Sequence, residues 1–252
     1  GPDFEITHKY EKIDEIPFDF MRKRMSVVMR NKRQEDVLIC KGAVEEVLSL
    51  CNRYETKEGT EPFLRKMTQD MDKMVTELNE EGYRVIAVAY RIFNDYKDVY
   101  TVEDESELVL LGFMAFLDPP KESAAEAIAK LHQYNVDVKV LTGDNEIVTK
   151  KICKEVNLPV DRILLGHEID PMTDQELSVV AENTSVFAKL SPMHKERIIH
   201  ALKSGDHVVG FMGDGINDAP ALNASDVGIS VDTAVDIAKE SADIILLKND
   251  LL

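Results

Sequence analysis

The sequence predicts an α/β protein in two parts: an α+β half over residues 1–117, and a second half over residues 118–252 with a parallel sheet covered by helices on both faces. Three observations carry this. Two strand-like runs, Met25–Arg30 and Asp36–Cys40, are separated by the polar stretch 31–35, which reads as a hairpin. From residue 123 onward, helix-spaced and strand-like segments alternate, the pattern of a parallel sheet with crossover helices. Between the two regimes stands Asp118-Pro119-Pro120, whose prolines stop a strand and stiffen the crossing.

The elements follow in order. A short helix is expected over residues 44–50, after Gly42. Met67, Met71, Met74, Val75 and Leu78 fall on one face of a second helix, a core stripe that Gly82 terminates as a C-cap glycine would. Strands at 84–90 and 108–116 complete the first half. The second half reads as helix 123–134, strand 136–141, helix 146–155, strand 186–188, helix 194–203 and strand 207–211. A short helix near Ala219, strand 227–229, helix 234–240 and strand 243–246 then follow.

Composition bounds the function. The chain has 252 residues, more than one core holds comfortably. A hydrophobic fraction of 44% and a charged fraction of 31% are those of a globular protein, not a disordered one. A net charge of −17 without a dense basic run argues against nucleic-acid binding. The three cysteines, Cys40, Cys51 and Cys153, form no CxxC pair, so a reducing compartment is expected. The longest apolar stretch, 108–117, is far below the roughly 20 residues that span a bilayer.

In a parallel sheet, ligands gather beyond the carboxyl ends of the strands. Two strands there run into Thr142-Gly143-Asp144 and into Gly213-Asp214-Gly215-Ile216-Asn217-Asp218-Ala219-Pro220. A hydroxyl and a glycine amide suit phosphate oxygens, and carboxylates beside them suit Mg²⁺. Lys195, after Ser191-Pro192, offers a point charge to the same phosphate. Alone, each triplet is an ordinary loop; together and in this order they are specific.

These motifs resemble those of the P-type cation-transporting ATPases. The resemblance implies a haloacid-dehalogenase-like Rossmann phosphorylation domain over 118–252. In it Thr142, Gly143, Asp144 and Lys195 serve the transferred phosphate, Asp214 and Asp218 hold Mg²⁺, and Asn217 shapes that site. Asp118-Pro119-Pro120-Lys121 resembles the family's hinge, with lysine where arginine is common. The family's phosphorylated aspartate lies in an Asp-Lys-Thr-Gly-Thr motif that the chain does not contain, so the chain itself is expected to be inactive and its sheet to lack a central strand.

In the first half, Phe18 with the cations 22–24, the pair Lys41-Gly42 and Arg84 resemble the family's nucleotide-binding domain. By that resemblance Phe18 stacks on adenine, while Lys23, Lys41, Gly42 and Arg84 line the pocket or meet the phosphates. Residues 18–28 and 230–240 are most similar to the magnesium-importing branch. The implied function is the ATP-binding and phosphorylation part of a pump on the cytoplasmic face of a membrane. ATP and Mg²⁺ would be its cofactors; the transported cation and the pump's other domains would be its partners. Two alternatives stand beside it: a soluble haloacid-dehalogenase-type phosphatase, and a non-enzymatic nucleotide-binding module. The six histidines show no metal-ligand spacing, and 103–105 reads as a solvated acidic loop.

Overall fold

A computed structural model of the chain describes residues 10–93 and 95–248. The chain divides into two compact units, residues 1–117 and 118–252.

The first unit is built from β1 (Tyr10–Asp19), β2 (Arg24–Asn31), β3 (Asp36–Ala43), α1 (Val44–Leu48), β4 (Cys51–Thr56), β5 (Gly59–Pro62), α2 (Arg65–Glu80), β6 (Tyr83–Phe93) and β7 (Leu108–Leu117). The strands make one seven-stranded sheet in the order β1-β2-β3-β6-β7-β4-β5. All neighbours are antiparallel except β4 and β7, which run parallel. Alternation sorts the faces. Leu38 and Cys40 of β3, Val28 of β2, and Ala87 and Ala89 of β6 point inward and pack with Val44, Val47 and Leu48 of α1. Burial in this core pushes the Cys40 thiol up from its ordinary value. Val37, Ile39 and Lys41 alternate to the opposite face, where Val88 of β6 is paired with Lys41.

The expected methionine stripe is partly right. Met71 and Val75 pack against the core, but Met74 is exposed. Gly82 follows α2 at φ +96°, as its C-cap role requires. Strands β1, β4 and β5 were not anticipated. The pairing of β1 shifts between Lys12 and Asp14, which breaks its period of two, and β4 and β5 are largely polar.

The loop at 103–105 is solvated only at Glu103. Asp104 and Glu105 are both buried, each carboxylate engaged by cations and donors described below. Asp36 is buried as well. Arg30 Nε and Nη2 meet its two oxygens at 2.7 and 2.8 Å, and Tyr100 Oη donates to it at 2.8 Å. The Arg30 guanidinium, aided by Tyr100, holds the Asp36 carboxyl below its usual value.

The second unit contains α3 (Ala124–Gln133), β8 (Val140–Leu141), α4 (Glu146–Glu155), β9 (Ile163–Leu165), α5 (Gly166–Ile169), α6 (Asp174–Glu182), β10 (Val186–Ala188), α7 (Pro192–Ser204), β11 (Gly210–Met212), α8 (Ala219–Ala224), β12 (Val227–Val231), α9 (Asp236–Glu240) and β13 (Ile244–Leu246). The strands are parallel, as expected, but they form two separate sheets of three, β8-β10-β9 and β11-β12-β13. Two strands are shorter than the sequence suggests. The run 136–141 is a strand only at Val140–Leu141, and 207–211 becomes Gly210–Met212. Both lie at a sheet edge, where one flank has no ladder to extend them, and Val208 is 86% exposed. One apolar core nevertheless spans both sheets, from Leu164 and Phe187 through Ile198 and Ile199 of α7 to Phe211, Leu222 and Val231.

Among the described residues, no helix is long and apolar enough to cross a membrane. All three cysteines are free.

Candidate functional site

In the first unit the β1–β2 connection carries Phe18 and Lys23. Asp19 builds it: its Oδ1 accepts from the amides of Met21 and Arg22 at 3.0 and 2.8 Å, and its carbonyl accepts from Lys23 N at 2.7 Å. Phe18 stays 48% exposed, with Phe20 edge-on at 5.0 Å between ring centroids. Lys23 sits at φ +49°, a left-handed conformation that costs a lysine about 1–2 kcal/mol. Its ammonium lies 4.0 Å from Glu46.

Lys41 and Gly42 lie beside this turn, because Gly42 pairs with Arg24 and Lys41 with Met25. Ala43 N donates to Lys23 O at 2.9 Å. The glycine has a packing role between the strands. A Cβ on Gly42 would lie 2.5 Å from both Lys23 O and Arg24 Cβ. The missing side chain therefore lets the two strands approach closely.

Arg84 is on β6, exposed and opposite Phe116, four residues along from Val88, the partner of Lys41. Equal parity puts Arg84 and Val88 on one face, so Lys41 and Arg84 share a sheet face about 13 Å apart along the strands. Phe18, Lys23 and Lys41 thus cluster around one hairpin, with Arg84 farther along that face.

In the second unit, the loops following β8, β10 and β11 carry the remaining candidates. Thr142 Oγ1 accepts from Asp144 N and donates to Asp144 Oδ2, both at 3.1 Å, which folds the Thr142-Gly143-Asp144 turn on itself. Asn145 then caps α4, its Oδ1 accepting from Ile147 N and Val148 N at 3.0 Å each. Backbone bonds from Lys189 N to Asp144 O and from Leu190 N to Thr142 O tie this turn to the approach to α7.

Lys195, one turn into α7, donates to Asp218 Oδ1 at 2.7 Å, and both side chains are nearly buried. Asp218 Oδ2 accepts from the amides of Gly215 and Asp214 at 3.0 and 3.2 Å. Asp218 thus closes the 213–218 loop with Oδ2 and ties it to α7 with Oδ1. Asp214 is exposed and Asn217 half-buried. Among the described residues no group of three or more His, Cys, Asp or Glu is placed to hold a metal. These residues do not by themselves make a Mg²⁺ site.

His194 has a structural role, consistent with the plain reading of the histidines. Ser191 N donates to its Nδ1 at 3.1 Å, which in the neutral ring leaves Nε2–H to donate to Asp170 Oδ1 at 2.7 Å. Asp19, Asn145 and Glu105 were not singled out from the sequence. The first two carry a readable signal, an Asx residue at the start of a turn or helix.

The chain belongs to the P-type ATPase family. Residues 4–123 match the family described as P-type ATPase, cytoplasmic domain N. The chain is 48% identical over 98% of its length to the magnesium-transporting ATPase, P-type 1, of Escherichia coli K12, covering 28% of that protein. It is also 48% identical to the protein of that name from Salmonella typhimurium LT2, with the same coverage. The calcium-transporting ATPase of Bacillus subtilis 168 is 31% identical over 97% of the chain. The chain spans about 28% of the length of these curated relatives.

Proposed function

We propose that the first unit binds ATP and the second handles the transferred phosphate in a P-type ATPase that moves Mg²⁺ across a membrane, with both units on its cytoplasmic side. The observation that carries the nucleotide assignment is the gathering of exposed Phe18, Lys23 and Lys41 around one hairpin. A half-exposed ring offers adenine a stacking face, worth about 1–3 kcal/mol in comparable base–aromatic contacts. Lys23 and Lys41 supply positive charge to phosphate oxygens, and Arg84 extends the charged track along the same face. The left-handed backbone at Lys23 supports this reading, since strain at a residue with better alternatives points to function.

In the second unit, which we read as the haloacid-dehalogenase-like phosphorylation domain, the Thr142–Asp144 turn and the N-terminus of α4 offer amides to a phosphoryl group. Lys195 is held close by Asp218, ready to balance charge on that group. Asp214, exposed in the loop after β11, and Asp218 beside it offer carboxylates to Mg²⁺. The other ligands, and the aspartate that would be phosphorylated, must come from residues other than these. The two edges β8 and β11 suit one further parallel strand between them, which would join the two sheets into one. Magnesium as the transported ion rests on the names of the relatives at 48% identity.

A soluble phosphatase accounts for Thr142, Lys195 and Asp214 but gives no role to Phe18, Lys23 and Lys41. Titrating the chain with ATP while following amide NMR shifts separates the two. The proposal expects shifts concentrated at Phe18, Lys23, Lys41 and Arg84, lost in Phe18→Ala. Shifts restricted to Thr142, Lys195 and Asp214 would support the phosphatase instead.

A further inference from the structure

A carboxylate outside the nucleotide cluster holds its two halves together. Glu105 lies between a short 3-10 turn (Val102–Asp104) and β7, and its side chain is wholly buried. Its Oε2 accepts from Arg22 Nη1 at 2.6 Å and Arg24 Nε at 2.8 Å, while Oε1 accepts from Ser26 Oγ at 2.7 Å. The two arginines flank Lys23 in sequence. Arg22 Nη2 also donates to Pro17 O at 2.8 Å, the carbonyl of the peptide that leads into Phe18. One anion thus fixes the backbone on the Phe18 side through Arg22 and the Lys23 side through Arg24.

Glu105 is itself held firmly. Its neighbour Asp104 is ion-paired with Lys97 and accepts from Thr101 N at 3.0 Å. Nearby Tyr100 is anchored by Asp36 and by Asp14, which accepts from Tyr100 N at 2.9 Å. Of the three cations at 22–24, the network consumes Arg22 and Arg24 and leaves the Lys23 ammonium largely exposed.

We propose that Glu105 is a positioning residue for nucleotide binding, acting through Arg22 and Arg24 to set the spacing between the Phe18 ring and the Lys23 ammonium. This rests on the nucleotide reading of the first unit. Replacing the carboxylate by an amide keeps the volume but removes the charge that two guanidiniums share, and a buried charge-assisted network loses more than one ordinary hydrogen bond.

The test is ATP binding by calorimetry on the 252-residue chain, with unfolding followed by circular dichroism. Glu105→Gln is expected to weaken ATP binding about tenfold at a temperature where its spectrum is native. The deciding comparison is a double-variant cycle. If Glu105 acts by orienting Phe18, then Glu105→Gln costs little more in a Phe18→Ala background, whereas a merely structural role gives full additivity. Should Glu105→Gln not fold, Ser26→Ala removes the Oε1 contact while leaving both arginine contacts, and a loss of about threefold is expected. Unchanged affinity in the folded variant, or full additivity in the cycle, overturns the proposal. If instead Phe18→Ala alone leaves ATP affinity unchanged, the nucleotide reading fails and the positioning role falls with it. The two failures are therefore distinguishable.

Discussion

Lys195 and Asp218 lie 2.7 Å apart with side chains 12% and 11% exposed, and the same aspartate holds two backbone amides of the loop after β11. Charge, loop closure and the start of α7 are thereby tied into one unit.

Removing one member should leave the other nearly buried and unpaired. Lys195→Ala and Asp218→Ala are each expected to destabilise the second unit by about 2–4 kcal/mol. The double variant should cost clearly less than the sum. Denaturant unfolding of the four proteins measures this; strict additivity would mean the pair is not coupled.

Gly42 makes a sharper prediction. A methyl group at 2.5 Å from Lys23 O must push the turn away by about 1 Å to reach ordinary contact. Gly42→Ala should lower the thermal midpoint by about 5 °C and weaken ATP binding together. A stabilised or indifferent variant would show that the strands can separate there freely.

Asp36 gives the acid dependence its sign. Its carboxyl is held below the ordinary value by Arg30, so it binds a proton less readily folded than unfolded. The stability it contributes is present above the unfolded carboxylate value of about 4 and is lost as pH falls from there through the lower folded value. Asp36→Asn should unfold about 5–10 °C lower than the parent at neutral pH. The gap should narrow in acid below that range. A constant gap across pH would place the effect elsewhere.

Val208, exposed two residues before β11, makes that sheet edge testable. Val208→Lys should change stability by no more than about 0.5 kcal/mol while reducing any concentration-dependent association, because charge blunts an open strand edge. Sedimentation at two concentrations decides it.

The sequence made the loops of the second unit legible because glycine, aspartate and lysine stand right after apolar strands. The helices α2, α4 and α7 were legible from spacing and caps. What escaped was long-range. Glu105 looks like part of an acidic surface run, and its partners Arg22 and Arg24 lie 83 and 81 positions away. Nothing local marks it as buried. The metal role of Asp218 follows from the family resemblance alone. Its pairing with Lys195 and with two loop amides is visible only in the structure. The strands 136–141 and 207–211 were overextended because propensity says nothing about whether a neighbouring strand is there to pair with.

The division of the second unit into two half-sheets carries a thermal consequence. Among the described residues no backbone ladder crosses from β8 to β11, so the halves are joined mainly by side-chain packing around α7. Apolar packing weakens on cooling, whereas the ladders within each half-sheet do not depend on it in the same way. Cold should therefore loosen this protein along one line before heat melts it everywhere. Near freezing, amides beside the seam would exchange with solvent while those of β10 and β12 stay protected.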